Sequence, residues 1–194
     1  MEMSWIEWLA VVSGLLCVWL TVRENIWCWP LGLIQVSLYV WIFYQAKLYS
    51  DFVLHITYIF LQFYGWYSWM FGGPMHENLS VSRLSGVGSG LAVVMTFLAT
   101  FFWGLGMEHY TDAALPYWDA FTTMASLMAQ WLLTRKKLES WLFWIAVDVV
   151  AIGVYYYKGL YPTAGLYAVF LFLATAGFWN WSRNSLNLRT MTSD

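Results

Sequence analysis

The sequence predicts an all-α integral membrane protein with seven transmembrane helices, and three observations lead to this fold class. The first is composition: of 194 residues, 61% are hydrophobic and 10% are charged, whereas soluble domains carry about 25% charged residues. So few charged side chains could not cover such a core with a polar surface, which argues against a soluble enzyme. The other two are apolar stretches of membrane-spanning length and an internal repeat.

The apolar stretches give the predicted helices. A helix of roughly 20 residues crosses the ~30 Å hydrocarbon core of a bilayer. The first stretch has no Lys or Arg before it and no small-residue cleavage site after it, so we expect it to stay in the mature protein. The seven predicted helices cover residues 4–22, 29–46, 50–71, 88–106, 117–134, 140–157 and 160–181.

The distribution of Lys and Arg predicts the orientation, because cationic loops stay in the cytoplasm. Only Lys47 and Lys158 fall on one side of the predicted membrane. We therefore expect the N terminus, the turn at 44–51 and the loop at 108–112 in the periplasm, and the C terminus in the cytoplasm. The cations of the cytoplasmic side are Arg23, Arg83, Arg135, Lys136, Lys137, Arg183 and Arg189.

An internal repeat relates the first three predicted helices to the last three. When the chain is aligned with itself without gaps, one register, which we call the repeat register, places Arg23 on Arg135 and Gly65 on Gly177. Three crossings leave the chain on the wrong side to begin the same triplet again, so the unmatched segment 88–106 is predicted to invert the topology. The aromatic matches in the repeat register are Trp19 with Trp131, Trp29 with Trp141, Tyr44 with Tyr156 and Trp69 with Trp181.

The repeat sets the predicted organisation, a 3+1+3 arrangement of parallel duplicated triplets. Such repeats are characteristic of small carriers, whose substrate site lies near the midplane of the bilayer. The predicted domains are a first repeat at 1–71, a loop with the inverter helix at 72–114, a second repeat at 115–182 and a cytoplasmic tail at 183–194.

Asp148 is the outstanding polar residue inside a predicted crossing. It stands near the middle of 140–157, with no Lys or Arg at helical spacing to pair with it. Since desolvating a charge in hydrocarbon is costly, the carboxylate suits a counter-ion for a cationic substrate or a proton carrier. The alternative is a protonated or hydrogen-bonded group that packs helices together.

Tryptophans frame this carboxylate. Trp141 and Trp144 precede Asp148 by seven and four residues, so all three share one helical face. Indole rings attract cations and stack on flat heterocycles, which predicts a box for a positively charged aromatic ring. Trp66 is a further candidate, although a tryptophan in that position also fits an anchor at the membrane interface.

Two glutamines complete the predicted binding site. Gln62 lies in the third predicted helix, and Gln35 aligns through the repeat with Val147, next to Asp148. Their amides suit the hydroxyls of a sugar or a carboxamide, but buried glutamines also join helices by hydrogen bonds.

No motif of another chemistry is present in the sequence. It has no nucleotide-binding GxxxxGK[ST], no HExxH and no Cys/His cluster of metal-ligand spacing. We therefore expect no catalytic residue, no metal and no cofactor. The net charge of −2 gives no reason to expect a nucleic-acid partner.

Three segments resemble the PnuC family of vitamin transporters. They are residues 24–32 (ENIWCWPLG), residues 61–69 (LQFYGWYSW), and Trp141-x-x-Trp144 followed by residues 157–161 (YKGLY). The likeness covers nearly the whole chain. Members of the family are similar to the SWEET sugar carriers, form trimers, and take up nicotinamide riboside or a related vitamin by facilitated diffusion. A cytoplasmic kinase then traps the substrate.

The resemblance implies roles for particular residues. Trp141 and the residue at 148 would contact nicotinamide riboside, and Gln62 would reach it from the third helix. This chain departs from the family at Asp148, where the nicotinamide riboside transporters often carry Asn. Thiamine, carried by the related PnuT proteins, and riboflavin therefore remain alternative substrates.

The sequence as a whole predicts a nicotinamide riboside uniporter of the bacterial inner membrane. Its partners would be a cationic aromatic small molecule, membrane lipids and two further copies of the chain. The alternative from another class is a membrane enzyme or assembly subunit whose polar groups only hold helices together.

Overall fold

The computed structural model describes residues 5–45, 49–111 and 114–191, and their side chains except those of 49–51 and 186–191. These residues form seven α-helices and no β-strand, which confirms the all-α prediction. A short 3₁₀ turn at Pro74–His76 lies between the third and fourth helices. The helices are α1 (Trp5–Val22), α2 (Cys28–Gln45), α3 (Tyr49–Phe71), α4 (Gly86–Tyr110), α5 (Pro116–Thr134), α6 (Ser140–Tyr157) and α7 (Tyr161–Met191).

Two helices end in the same hydrogen-bonded turn, one in each triplet. After α1, Glu24 adopts a positive φ of 56° and the N–H of Asn25 donates to the carbonyl of Leu20 at 2.9 Å. After α5, Lys136 has a φ of 50° and the N–H of Lys137 donates to the carbonyl of Leu132 at 3.0 Å. This left-handed turn satisfies carbonyls that the helix leaves open, and it stops the helix without a glycine.

Two helices are longer than the sequence predicts. α4 begins at Gly86 rather than 88, because the side chain of Ser85 caps it by accepting a hydrogen bond from the N–H of Gly88 at 3.1 Å. α7 continues to Met191 rather than ending at 181. No Gly or Pro follows Gly177, so nothing in that stretch interrupts the helix.

The chain forms two compact units, Met1–Ser80 and Val81–Asp194. In the first unit, α2 contacts both α1 and α3. In the second, α5 contacts α4 and α6, and α6 contacts α7. The predicted domain bounds concern the repeat and its topology, which these contacts do not test, so they stay predictions.

The local geometry of the two units recurs in the repeat register. α2 and α6 correspond at both ends, and α3 and α7 begin at corresponding residues. The rings of Trp29 and Trp69 lie 5.3 Å apart at 85°, and those of Trp141 and Trp181 lie 5.3 Å apart at 87°. These two pairs of tryptophans therefore pack in the same way.

Four of the described helices, α1, α4, α6 and α7, are long and apolar enough to cross a membrane. α2, α3 and α5 have 18, 23 and 19 residues, but they carry more polar and amphipathic side chains. Large apolar side chains also point away from the protein, as with Phe60, Phe102 and Phe172, which are 70%, 67% and 72% exposed. A surface of this kind fits hydrocarbon rather than water.

Candidate functional site

α6 carries the candidate counter-ion on a buried face. The helix is continuous from Ser140 to Tyr157, so Trp144 and Asp148 lie one turn apart on the same side, as the spacing predicts. Asp148 is 4% exposed and Trp144 is half-buried. Among the residues that the structure describes, none forms a hydrogen bond or an ion pair with the Asp148 carboxyl. A carboxyl group so placed either carries a proton or meets a cation from elsewhere.

Trp141 has a different environment from Trp144. Its ring is 2% exposed, meets the ring of Trp181 edge to face, and covers Gly177, where a β-carbon would lie 2.5 Å from the indole. The surroundings of Trp29 in the other unit are the same, since it contacts Trp69 and covers Gly65. Because the arrangement occurs in both triplets, it accounts for Trp141 as a residue that joins α6 to α7. A contact between Trp141 and substrate stays a prediction.

The indole N–H groups of Trp29 and Trp141 have a further feature in common. Both are buried without a hydrogen-bond partner among the described residues. A buried donor without an acceptor is uncommon and costs about 1–3 kcal/mol. The same indole N–H is therefore left without a described acceptor in both units.

The two predicted glutamines lie in the unit Met1–Ser80, each beside a glycine of the preceding helix. Gln62 of α3 is 8% exposed, and a β-carbon at Gly32 of α2 would lie 2.5 Å from its Nε2. Gln35 of α2 is half-buried, and a β-carbon at Gly14 of α1 would lie 2.6 Å from its Nε2. No hydrogen bond of either amide is found in the described part of the chain.

The two amides border one stretch of α2. Gly32 and Gln35 are three residues apart on this helix, so the Gln62 amide over Gly32 and the Gln35 side chain occupy neighbouring positions on its surface. Trp66 is half-buried and follows Gln62 by one turn of α3. Three of the predicted site residues, Gln35, Gln62 and Trp66, thus lie in α2 and α3 of the first unit.

At one pair of facing positions, the large and the small side chain have changed places between the two units. In the first, Gly32 of α2 faces Gln62 of α3. The equivalent positions in the second are Trp144 of α6 and Ala174 of α7, which is 2% exposed. A large side chain comes from the third helix of one triplet and from the second helix of the other.

The charges and amides at these positions also differ. Asp148 corresponds to Val36, and Gln35 corresponds to Val147. Both valines are buried, at 7% and 4% exposure. One unit therefore offers two amides, and the other offers an indole and a carboxyl group.

Sequence reasoning gave no site role to three residues that lie near the predicted ones. Gly14 and Gly32 are the glycines beside the amides, and their signal is a small residue inside an apolar helix, which marks close approach of a neighbour. Gln130 of α5 is 6% exposed with no hydrogen bond among the described residues. It lies four residues before the end of α5, and Trp144 lies four residues after the start of α6, so both are at the same depth in this antiparallel pair.

Metal binding has no support in the described part of the chain. It contains no group of three or more His, Cys, Asp and Glu residues that could hold a metal ion. The polar groups of the candidate site can form hydrogen bonds and ion pairs with a ligand, and these interactions serve binding rather than covalent chemistry.

A family model described as nicotinamide mononucleotide transporter matches residues 4–183. The nicotinamide riboside transporter PnuC of Escherichia coli K12 is 29% identical over 93% of this chain and 86% of that protein. PnuC of Neisseria mucosa is 28% identical over 93% of this chain and 73% of that protein. The riboflavin/roseoflavin transporter RibM of Streptomyces davaonensis is 22% identical, over 91% of this chain and 84% of that protein.

A solved structure agrees with these sequence relatives. The crystal structure of the vitamin B3 transporter PnuC superimposes with a TM-score of 0.74 and 29% identity, covering 93% of this chain and 81% of that one. The resemblance predicted from residues 24–32, 61–69 and 141–161 is thereby confirmed. The family and these relatives are transporters rather than enzymes. The chain belongs to the nicotinamide mononucleotide transporter family.

Proposed function

We propose that this protein takes up nicotinamide riboside across the bacterial inner membrane by facilitated diffusion. The observation that carries the proposal is the buried Asp148 carboxyl, one turn from Trp144 and without a partner among the described residues. A pyridinium ring supplies the missing positive charge and a flat face for the indole. The relatives named as nicotinamide riboside transporters support the same substrate.

Each candidate residue suits a different part of this substrate. Asp148 balances the charge of the pyridinium ring, and Trp144 stacks on it. Gln62 and Gln35 exchange hydrogen bonds with the carboxamide or the ribose hydroxyls, for which an amide supplies both donors and acceptors. Trp66 and Trp141 add aromatic contacts. No covalent step is required.

The proposed architecture is seven crossings in a 3+1+3 arrangement, with α4 as the inverter helix. The recurrence of helix bounds and tryptophan contacts in the repeat register supports the duplication. Transport would follow from movement of the triplets that opens the substrate site to each side in turn. The resemblance adds a homotrimer embedded in lipid.

The proposed orientation has the N terminus in the periplasm and the C terminus in the cytoplasm. Its support is the excess of Lys and Arg on one side. Arg23 lies over the ring of Trp19 at 4.2 Å, and Arg135 over the ring of Trp131 at 4.7 Å. Such pairs at the ends of α1 and α5 suit the cytoplasmic interface, where indole and cation both meet lipid headgroups.

Thiamine is the second candidate substrate, because it too is a cationic aromatic and would meet the Asp148 carboxyl equally well. Riboflavin is neutral and gains nothing from that carboxyl. Calorimetric titration of the purified protein with all three vitamins in parallel tests the proposal, and we expect the tightest binding for nicotinamide riboside. Tighter binding of thiamine, or binding of none, would contradict it.

Facilitated diffusion also has an alternative, in which Asp148 carries a proton and couples uptake to a pH gradient. Proteoliposomes containing the purified protein distinguish the two mechanisms. We expect nicotinamide riboside to equilibrate to the same internal concentration with and without an imposed gradient. Accumulation driven by the gradient would replace facilitation with proton coupling.

A further inference from the structure

Two glycines in the unit Met1–Ser80 lie where glutamine amides need room. A β-carbon at Gly32 would lie 2.5 Å from Nε2, 2.9 Å from Cδ and 2.9 Å from Oε1 of Gln62. A β-carbon at Gly14 would lie 2.6 Å from Nε2 and 2.9 Å from Cδ of Gln35. An alanine at either position would therefore have to displace the amide, which is the flexible end of its side chain.

The helix pairs themselves do not require glycine at these places. The position equivalent to Gly32 in the second triplet is Trp144, and the position equivalent to Gly14 is Ser126. In the repeat register α6 has the same bounds as α2, and α5 and α1 end at equivalent residues. Since glycine destabilises a helix interior relative to alanine, its presence in α1 and α2 follows from the neighbouring glutamines.

Within the described part of the chain, the amide of Gln62 is held by fit rather than by hydrogen bonds. It is more than nine-tenths buried, and no hydrogen bond to it is found within the described residues. Buried amides normally have partners, so the donors and acceptors of Gln62 are available to a ligand. Its orientation then depends on the room that Gly32 leaves.

We infer that Gly32 and Gly14 are positioning residues for substrate recognition, acting through Gln62 and Gln35. Each glycine leaves the space in which an amide is held facing the polar substituents of the substrate. This inference rests on the proposed function, since it concerns hydroxyl or carboxamide groups of the transported vitamin. It assigns no substrate contact to either glycine.

A double-mutant cycle read by titration with nicotinamide riboside tests this role. We expect Gly32→Ala to weaken binding about tenfold, comparable to the loss of one hydrogen bond. If Gly32 acts through Gln62, the same change made in a Gln62→Ala protein has no further effect. Gln62→Asn, which is shorter by one methylene group, should restore most of the affinity of the Gly32→Ala protein.

Gly153→Ala is the matched control, because Gly153 lies within α6 and has nothing within 4 Å of an added β-carbon. It should bind as the wild type does. Thermal unfolding of every variant shows whether it is folded, and Gly14→Ala with Gln35→Asn repeats the test independently if Gly32→Ala fails to fold.

The outcomes separate this inference from the proposed function. Wild-type affinity in Gly32→Ala, or an equal loss of affinity in the presence and absence of Gln62, would overturn the positioning role while leaving uptake of nicotinamide riboside intact. A wild-type protein that binds none of the three vitamins would overturn the proposed function, and the positioning role with it.

Discussion

At the scale of single residues, the candidate site contains buried polar groups to which the described residues supply no hydrogen-bond partner. Asp148 and Gln62 are both buried, at 4% and 8% exposure, and neither forms a hydrogen bond among the described residues. Folding normally pairs such groups, because an unpaired one costs free energy. Their retention in apolar helices agrees with the proposed role in binding a ligand.

The substitution Asp148→Asn tests this explanation. We expect affinity for nicotinamide riboside to fall about tenfold rather than to vanish, because Asn removes the charge that faces the quaternary pyridinium ring but keeps a polar group at this position. We expect thermal stability to stay equal or rise, since the change removes an ionisable group with no described partner. Titration calorimetry and thermal unfolding measure the two quantities on the same preparation.

Asp119→Asn is the control for this substitution. The Asp119 carboxylate lies 3.0 Å from Nζ of Lys158 near one end of α5, and both side chains are about 30% exposed. Loss of this ion pair should leave the affinity for nicotinamide riboside unchanged and alter the free energy of unfolding by at most about 1 kcal/mol. A drop in stability with unchanged affinity in Asp148→Asn would instead identify Asp148 as a helix-packing group.

At the scale of helices, sequence reasoning succeeded where the repeat supplied two independent copies of a signal. The bounds of α6 were predicted as they are observed, and those of α2 within one residue. The end of α7 was not predicted, because polar residues after Trp181 mark the membrane boundary without stopping a helix. The glycines beside the amides were missed because the sequence alone does not show which faces of α1, α2 and α3 meet.

The contact of tryptophan with glycine in each triplet leads to a prediction about helix packing. Gly65→Ala and Gly177→Ala should each lower stability by about 1–2 kcal/mol, because overpacking typically costs about 1–3 kcal/mol and the gain in helix propensity offsets at most about 1 kcal/mol. The rings cannot yield as a glutamine amide can, since Trp29 and Trp141 are each 2% exposed. Thermal unfolding in detergent measures the effect.

Gly153→Ala serves again as the reference, with stability equal to or above that of the wild type. The two substitutions should behave alike, because the surroundings of Gly65 and Gly177 are equivalent. If alanine is tolerated at only one of the two glycines, the equivalent tryptophan contacts do not contribute equally to stability, and the prediction is wrong.

At the scale of the whole molecule, the proposed duplication would give a common framework to two triplets with different chemistry. The Trp29–Trp69 and Trp141–Trp181 contacts have the same geometry in both triplets. The positions between them have diverged into amides in one triplet and an indole with a carboxyl group in the other.

Orientation in the membrane is the property of the whole chain that labelling can test. Cysteine at Glu77 is expected in the cytoplasm and cysteine at Thr111 in the periplasm, because α4 connects the two exposed positions. A membrane-impermeant maleimide added to intact cells should label only the protein with Thr111→Cys, and permeabilised cells should label both.

The background for this labelling must lack the native thiols, and the repeat suggests how to remove them. Cys17 and Cys28 correspond to Ala129 and Ser140, and both of those residues are buried at 0% exposure. Cys17→Ala with Cys28→Ser should therefore fold as the wild type does. Labelling of Glu77→Cys but not Thr111→Cys from outside would invert the proposed orientation.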